Sequence, residues 1–124
     1  MNRAEILVID DEAQIRRLLE ITLQSNDFAV KEAATAKEGL IAAANHPPDL
    51  ILLDVMMPKV SGFDVLDILR NTPETTNVKV IMLTALSQDS DKERAEKLGV
   101  DDYLVKSQVV IADVVDKIKQ HLGV

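Results

Sequence analysis

The sequence has no cysteine and no tryptophan, and its 124 residues include only one tyrosine and two phenylalanines. The lack of cysteine excludes disulfides, zinc–thiolate sites and thiol nucleophiles. It also agrees with the reducing cytoplasm, where we expect this protein to lie. Three aromatic side chains are too few for a surface that stacks nucleic-acid bases. The longest unbroken apolar run, Leu40 to Ala44, is far too short to span a bilayer.

Positive charge is also scarce, because 14 Lys and Arg residues stand against 21 Asp and Glu and leave a formal net charge of −7. Such a surface repels phosphate backbones and anionic lipids, so we expect no direct contact with nucleic acid or membrane. Apolar residues make up 47% of the chain, which is enough for a buried core. We therefore expect one domain over residues 1–124, without a signal peptide and without an output domain.

Short apolar runs separated by helical patterns indicate an α/β fold. Four runs are continuous or nearly so and predict strands buried on both faces, namely Ile6–Ile9, Leu50–Leu53, Val78–Leu83 and Tyr103–Val105. Phe28–Ala33 alternates instead, which is typical of an edge strand. Strand and helix alternate five times, and this order predicts a doubly wound parallel sheet. The pattern alone leaves two strand orders open, 2-1-3-4-5 and a Rossmann-like order.

Capping residues and apolar stripes define the helices. Thr35, Ser61 and Ser90 are each followed three residues later by an acidic residue, which predicts the starts of the second, third and fourth helices. The first helix should bury an apolar stripe formed by Ile15, Leu18, Leu19 and Leu23.

Polar and charged residues follow the ends of the first, third, fourth and fifth strands in turn: Asp10-Asp11-Glu12, Asp54, Thr84-Ala85 and Lys106. Ligands of open α/β sheets bind at this edge. Crowded carboxylates repel each other unless a cation lies among them, and a small hard cation such as Mg²⁺ suits such a site. The same residues also have an ordinary explanation, because loops are polar and Asp10 or Asp11 is a good helix cap. The residues by themselves predict an acidic edge that binds a cation.

Four motifs follow one another along the chain: Asp10-Asp11-Glu12, Asp54 to Pro58 with Gly62 beyond it, Thr84-Ala85, and Gly99 to Lys106. Together they resemble the receiver domain of two-component response regulators, the CheY-like family, over the whole chain. The resemblance implies a flavodoxin-like (βα)5 doubly wound fold with a five-stranded parallel sheet in the order 2-1-3-4-5. It also implies a phosphoacceptor domain of phosphorelay signalling that is not an enzyme beyond its own phosphorylation and dephosphorylation.

The resemblance implies that Asp54 accepts a phosphoryl group from a phosphohistidine on a sensor histidine kinase or a phosphotransfer protein. Mg²⁺, or Mn²⁺, would be held by Asp10, Asp11, Asp54 and the backbone carbonyl of Met56. Asp11 would be the direct ligand, with Asp10 acting partly through water. Further contacts to the phosphoryl group would come from Thr84, Ala85 and Lys106.

Thr84 and Tyr103 would form the switch that couples the site to a target protein at the face made by the fourth helix, the fifth strand and the fifth helix. The protein would be a monomer or a weak dimer that forms on phosphorylation. Met56 and Leu86 occupy the positions that flank the approach of water to the phosphorus. Because both are apolar, we expect slow loss of phosphate. In the alternative, Leu86 packs on the fourth helix and leaves the path open.

The segment after Lys106 departs from the family, which usually has a proline there in a cis peptide, whereas this chain has Ser107. Without proline a cis bond costs about 2.5–4 kcal/mol, so we expect a trans bond. The connection to the last helix is also about one residue longer than usual, which gives the loop room to rearrange.

Three other functions fit the sequence less well. A phosphatase of the haloacid-dehalogenase type needs Asp-x-Asp after the first strand, where this chain has Asp10-Asp11-Glu12. A flavodoxin needs a hydroxyl-rich phosphate loop at that place and aromatic residues around its flavin. A receiver that serves only as a docking module is a third possibility, but every acidic and switch position of the family is filled.

Overall fold

The computed structural model describes residues 3–124, in which five strands and five helices alternate. The strands are β1 Glu5–Ile9, β2 Ala29–Ala33, β3 Leu50–Leu53, β4 Lys79–Thr84 and β5 Asp102–Val105. The helices are α1 Ala13–Ser25, α2 Ala36–Asn45, α3 Gly62–Arg70, α4 Asp89–Lys97 and α5 Ile111–Leu122. The predicted α/β alternation is confirmed, and the ends of each strand lie within one residue of their predicted positions.

All neighbouring strands pair in parallel, and the sheet order β2-β1-β3-β4-β5 confirms the flavodoxin-like order. β1, β3 and β4 are interior strands and are apolar and buried along nearly their whole length, because helices cover both of their faces. β2 lies at one edge and exposes Lys31 and Glu32, as predicted for an edge strand.

Two apolar cores lie on opposite faces of the sheet, and alternate residues of each strand contribute to one or the other. Leu7 and Ile9 of β1 point into the core beneath α2, α3 and α4. Ile6 and Val8 point into the core beneath α1 and α5. Within residues 3–124, no helix combines the length and the apolar character needed to cross a membrane.

Two of the three predicted helix starts are confirmed, because the Thr35 and Ser61 hydroxyls each accept a hydrogen bond from the backbone N–H three residues later. The start predicted at Ser90 is wrong. Helix α4 begins at Asp89, and its N-cap is Gln88. Asp89 brings a negative charge into the first turn, where the helix dipole favours it.

Helix α1 buries a narrower stripe than the apolar pattern predicts. Leu19 and Leu23 are fully buried, but Leu18 is 47% exposed, so its predicted place in the core is wrong. Adjacent helical residues lie about 100° apart around the axis, and the sheet covers only the side of α1 that carries Leu19.

Candidate functional site at the carboxyl edge of the sheet

The ends of β1 and β3 bring two aspartates side by side. Asp10 and Asp54 each follow the last residue of a strand, and the two strands pair with Ile9 opposite Leu53. The Asp54 N–H donates to the Ile9 carbonyl at 3.0 Å, and the Asp10 N–H donates to the Ala33 carbonyl at 3.2 Å. Both aspartates are therefore held at the sheet edge, and each is only 3% exposed.

Lys106 reaches this pair from the end of β5, where its backbone N–H donates to the Thr84 carbonyl at 2.8 Å. Its ammonium nitrogen lies 3.1 Å from Asp10 Oδ2, 3.1 Å from Glu12 Oε1 and 3.4 Å from Asp54 Oδ2. Residues that are up to 96 positions apart in the chain thus form one charged cluster.

The three carboxylates of this cluster could hold a metal ion, because oxygens of Asp10, Glu12 and Asp54 lie within 4.8 Å of one another. Asp11, the predicted direct ligand, is exposed and is not a member of this group. The Met56 N–H donates to Asp54 Oδ1 at 3.2 Å, while Met56 is 56% exposed. The structure therefore brings together two of the three predicted carboxylate ligands, Asp10 and Asp54. The third member of the group, Glu12, is exposed and pairs with Lys106, a contact that no motif predicts.

Negative charge is in excess in the cluster. Burial raises the pKa of Asp10 above its ordinary value, and repulsion from Asp54 adds to the rise, while the Glu12 N–H and Lys106 offset only part of it. Burial by itself would lower the pKa of Lys106, but attraction to Asp54, Asp10 and Glu12 outweighs burial and raises it. One ammonium for three carboxylates favours the binding of a further cation.

This excess charge predicts that Asp10→Asn stabilises the folded protein. A carboxyl whose pKa is raised by folding holds its proton more tightly in the folded state, so its ionisation destabilises the fold as the pH rises through that range. At pH 7 without divalent cations, we expect the variant to gain about 1 kcal/mol in the free energy of unfolding, measured by urea denaturation. The gain should shrink toward pH 3.8, the ordinary value for the group. An equal or lower free energy of unfolding at pH 7 would contradict this reasoning.

The two predicted switch residues, Thr84 and Tyr103, both form hydrogen bonds with the backbone of Leu86, in the loop between β4 and α4. Thr84 is fully buried, and its Oγ1 accepts a hydrogen bond from the Leu86 N–H at 3.3 Å. The Tyr103 hydroxyl donates to the Leu86 carbonyl at 2.9 Å. Burial, with smaller contributions from Asp91 and Asp54, raises the pKa of Tyr103 to about 12, so its hydroxyl remains a neutral donor at physiological pH.

The side chains of this loop and of the loop after β3 differ in exposure. Ala85 is exposed, whereas Leu86 is partly buried and packs against the core beneath α2, α3 and α4. Leu86 is therefore partly withdrawn from solvent, and the predicted effect of Met56 and Leu86 on the loss of phosphate stays a prediction. Of the two positions expected to flank the approach of water, only Met56 is largely exposed.

The loop between β3 and α3 folds back tightly on the residue that carries the central carboxylate. The Gly62 N–H donates to the Val55 carbonyl at 2.8 Å. A Cβ atom at Gly62 would collide with the Asp54 carbonyl oxygen and would lie 2.6 Å from Val55 Cα. Only glycine permits this close approach of one backbone segment to the other.

The loop between β5 and α5, which begins at Lys106, contains no cis peptide bond. The peptide between Lys106 and Ser107 is trans, as predicted from the absence of proline. The Gln108 N–H donates to the Val105 carbonyl at 2.8 Å and closes a turn that contains Lys106.

Arg16 helps to fix the backbone of Asp10, and no sequence motif predicts this role. Its Nη1 donates to the Asp10 carbonyl at 2.8 Å, and its Nε lies 3.4 Å from Glu32 at the edge of the sheet. No spacing in the sequence predicts these contacts, because Asp10 lies before α1 and Glu32 lies on β2.

Comparison with known protein sequences agrees with this arrangement. The family of response regulator receiver domains matches residues 6–119. The probable transcriptional regulator ycf27 of Porphyridium aerugineum is 46% identical over 106 residues, which cover 86% of this chain and 43% of that protein. RpaA of Synechocystis sp., a DNA-binding dual master transcriptional regulator, is 44% identical over 82% of this chain and 42% of its own length. The chain spans less than half the length of these relatives, and they give no support to the expectation that contact with nucleic acid is absent.

Solved structures share the whole architecture. The chemotaxis protein CheY4 of Vibrio cholerae has a TM-score of 0.90 at 27% identity, over 96% of this chain and 98% of that one. A CheY-like receiver domain of Methanospirillum hungatei has a TM-score of 0.91 at 29% identity, over 98% and 95% of the two chains. The family match over residues 6–119, the strand order and the clustered carboxylates together establish that this chain belongs to the receiver domains of two-component response regulators.

Proposed function

We propose that Asp54 is the phosphoacceptor of this receiver domain and that its donor is a phosphohistidine on a sensor histidine kinase or a phosphotransfer protein. One observation carries the proposal: at the end of a central strand, the Asp54 carboxylate lies 3.4 Å from the Lys106 ammonium and beside the Asp10 carboxylate. A carboxylate nucleophile, further carboxylates for a cation and a positive side chain are the groups that phosphoryl transfer requires.

In the transfer, a bond forms between an Asp54 carboxylate oxygen and the phosphorus while the phosphorus–nitrogen bond of the donor breaks. The nitrogen keeps the electron pair and takes up a proton from water. Lys106 would pair with one oxygen of the transferred group. Thr84 would donate a hydrogen bond from its hydroxyl to a second oxygen, and Ala85 would supply a third contact.

The oxygen-only donor set suits Mg²⁺ or Mn²⁺. Asp10 and Asp54 belong both to the predicted ligands and to the observed cluster, so these two residues would hold the ion. Asp11 and the Met56 carbonyl complete the proposed ligand set, as the family resemblance implies. When bound, the ion would neutralise negative charge on the phosphoryl group.

The response is a change in the loop between β4 and α4. Because Thr84 and Tyr103 both hold Leu86, a turn of the Thr84 hydroxyl toward the phosphoryl group would alter the constraint on Tyr103. Tyr103 lies on β5, so the change would reach a target protein at the face of α4, β5 and α5. In this proposal the domain works in the cytoplasm, as a monomer or a weak dimer, and catalyses only its own phosphorylation and dephosphorylation.

Phosphotransfer profiling tests the proposal. The purified chain is incubated with each autophosphorylated sensor histidine kinase and each phosphorylated phosphotransfer protein of the source organism, with Mg²⁺ or with EDTA. We expect rapid transfer from one of these donors with Mg²⁺ and none with EDTA. Transfer that proceeds equally well in EDTA, or no transfer from any of the donors, would contradict the proposal.

The exposed Met56 predicts a long-lived phosphorylated state, because an apolar side chain beside the phosphorus cannot hold an attacking water. We expect the double variant Met56→Asn with Leu86→Glu to lose phosphate at least about tenfold faster, since polar groups there can orient water. Because Leu86 is partly buried, Met56→Asn alone should account for most of the increase. The measurement is the rate of phosphate release after the donor is removed, and a double variant no faster than the wild type would disprove the explanation.

A further inference from the structure

We propose that Glu12 is a positioning residue for Lys106: it pairs with the ammonium in the unphosphorylated protein and yields its place when a phosphoryl group arrives on Asp54. The inference rests on the proposed function of Asp54. It concerns a side chain that the family motifs do not assign to phosphoryl or metal contact.

The Lys106 ammonium has no spare donor in the unphosphorylated site. An ammonium carries three N–H bonds, and three carboxylates lie within hydrogen-bond distance of Nζ: Asp10 and Glu12 at 3.1 Å and Asp54 at 3.4 Å. Phosphorylation turns the Asp54 carboxylate into an uncharged acyl group, so Lys106 can exchange that contact for one phosphoryl oxygen. It can turn a second N–H bond toward the phosphoryl group only by releasing Asp10 or Glu12.

Of the two partners that remain charged carboxylates, Glu12 leaves at the lower free-energy cost. Its side chain is 59% exposed, whereas the side chains of Asp10 and Asp54 are 4% and 3% exposed. Water can replace the ammonium at Glu12, but a buried Asp10 left without the ammonium would be a poorly compensated charge. A phosphoryl group on Asp54 would also repel the nearby Glu12 carboxylate.

Glu12 has no competing task within α1. It is the N-cap residue of that helix, yet its side chain makes no capping hydrogen bond. Its backbone N–H donates to Asp10 Oδ1 at 2.9 Å, which fixes the main chain while the carboxylate remains free to turn. Replacing the side chain should therefore leave the fold and the Asp10 contact intact.

Because Glu12 stabilises the unphosphorylated site more than the phosphorylated one, removing its charge should favour occupation of Asp54 by a phosphoryl group. An exposed ion pair of this kind corresponds to about a two- to fivefold change in an equilibrium constant. We expect Glu12→Gln and Glu12→Ala to raise the affinity for a phosphoryl mimic by that factor.

The probe is beryllium fluoride, which binds reversibly to an aspartate carboxylate as a phosphoryl mimic, titrated by calorimetry at saturating Mg²⁺. Mg²⁺ affinity is measured separately for the wild type, Glu12→Gln, Glu12→Ala and the matched charge control Glu96→Gln, an exposed carboxylate on α4. Both Glu12 variants should bind beryllium fluoride more tightly and should change in Mg²⁺ affinity by less than about threefold. Glu96→Gln should match the wild type in both titrations.

Each other outcome has a definite meaning. Tenfold weaker Mg²⁺ binding by the Glu12 variants would show that Glu12 is a metal ligand and would overturn the inference. Unchanged or weaker beryllium fluoride binding would also overturn it, and so would an equal gain in Glu96→Gln, which would reflect net charge alone. A wild-type protein that binds no beryllium fluoride would instead count against Asp54 as the phosphoacceptor.

Discussion

Asp54→Asn should abolish phosphorylation of this protein. The amide is nearly the same size as the carboxylate but is not a nucleophile, so no bond to phosphorus can form. The variant should still fold, because Asn can keep the backbone hydrogen bond to Ile9 and can accept from the Met56 N–H. Incubation with a small phosphodonor and Mg²⁺, followed by intact-protein mass spectrometry, should show one added phosphoryl group on the wild type and none on the variant.

A matched control separates loss of the acceptor from loss of a carboxylate in general. Asp116 is exposed on α5, so Asp116→Asn should be labelled like the wild type. Labelling of Asp54→Asn to the same stoichiometry as the wild type would refute the assignment of Asp54.

Gly62→Ala should both destabilise the protein and impair the site. The added methyl group would meet the Asp54 carbonyl oxygen and Val55 Cα, which are backbone atoms of the residue that carries the proposed phosphoacceptor and of its neighbour. Backbone cannot turn aside as a flexible side chain can, so the loop or the end of β3 must shift. We expect a loss of about 1–3 kcal/mol in the free energy of unfolding, measured by urea denaturation, and slower labelling by a small phosphodonor.

Gly123→Ala is the control that separates the collision at Gly62 from the general effect of replacing a glycine. An added methyl group there meets nothing within 4 Å, although the backbone has φ of +71° at the end of α5. That variant should lose some stability from the left-handed backbone and should be labelled at the wild-type rate. Equal stability and equal labelling of Gly62→Ala and the wild type would show that the loop is free to move away from Asp54.

The local elements of this protein can be predicted from neighbouring residues in the chain. The run Leu50–Leu53 predicts a strand with the observed bounds, because four consecutive apolar residues between polar ones favour a strand covered on both faces. Thr35 and Ser61 predict helix starts correctly because a capping hydrogen bond spans only three residues. The carboxylates at the ends of β1 and β3 were likewise predictable, since strands of a parallel sheet end at one edge.

The family motifs carried information that the apolar pattern did not. Periodicity left two strand orders open, whereas the motifs implied the observed order. Periodicity also placed Leu18 in the core and, with the capping rule, the start of α4 at Ser90. Both predictions are wrong. Leu18 is exposed because burial depends on which elements pack against a helix. Helix α4 starts before Ser90 because a helix can extend beyond a good capping residue.

Which charged groups meet depends on how the chain folds in three dimensions. Lys106 contacts Asp10 across 96 positions, and Glu12 joins the cluster while its neighbour Asp11 remains exposed. Adjacent residues in a loop point in different directions, so the choice between Glu12 and Asp11 depends on how β1 leads into α1. Pairing between strands and burial of side chains bring together residues that are far apart in the chain. A sequence pattern cannot predict these contacts, because it describes only residues that are neighbours in the chain.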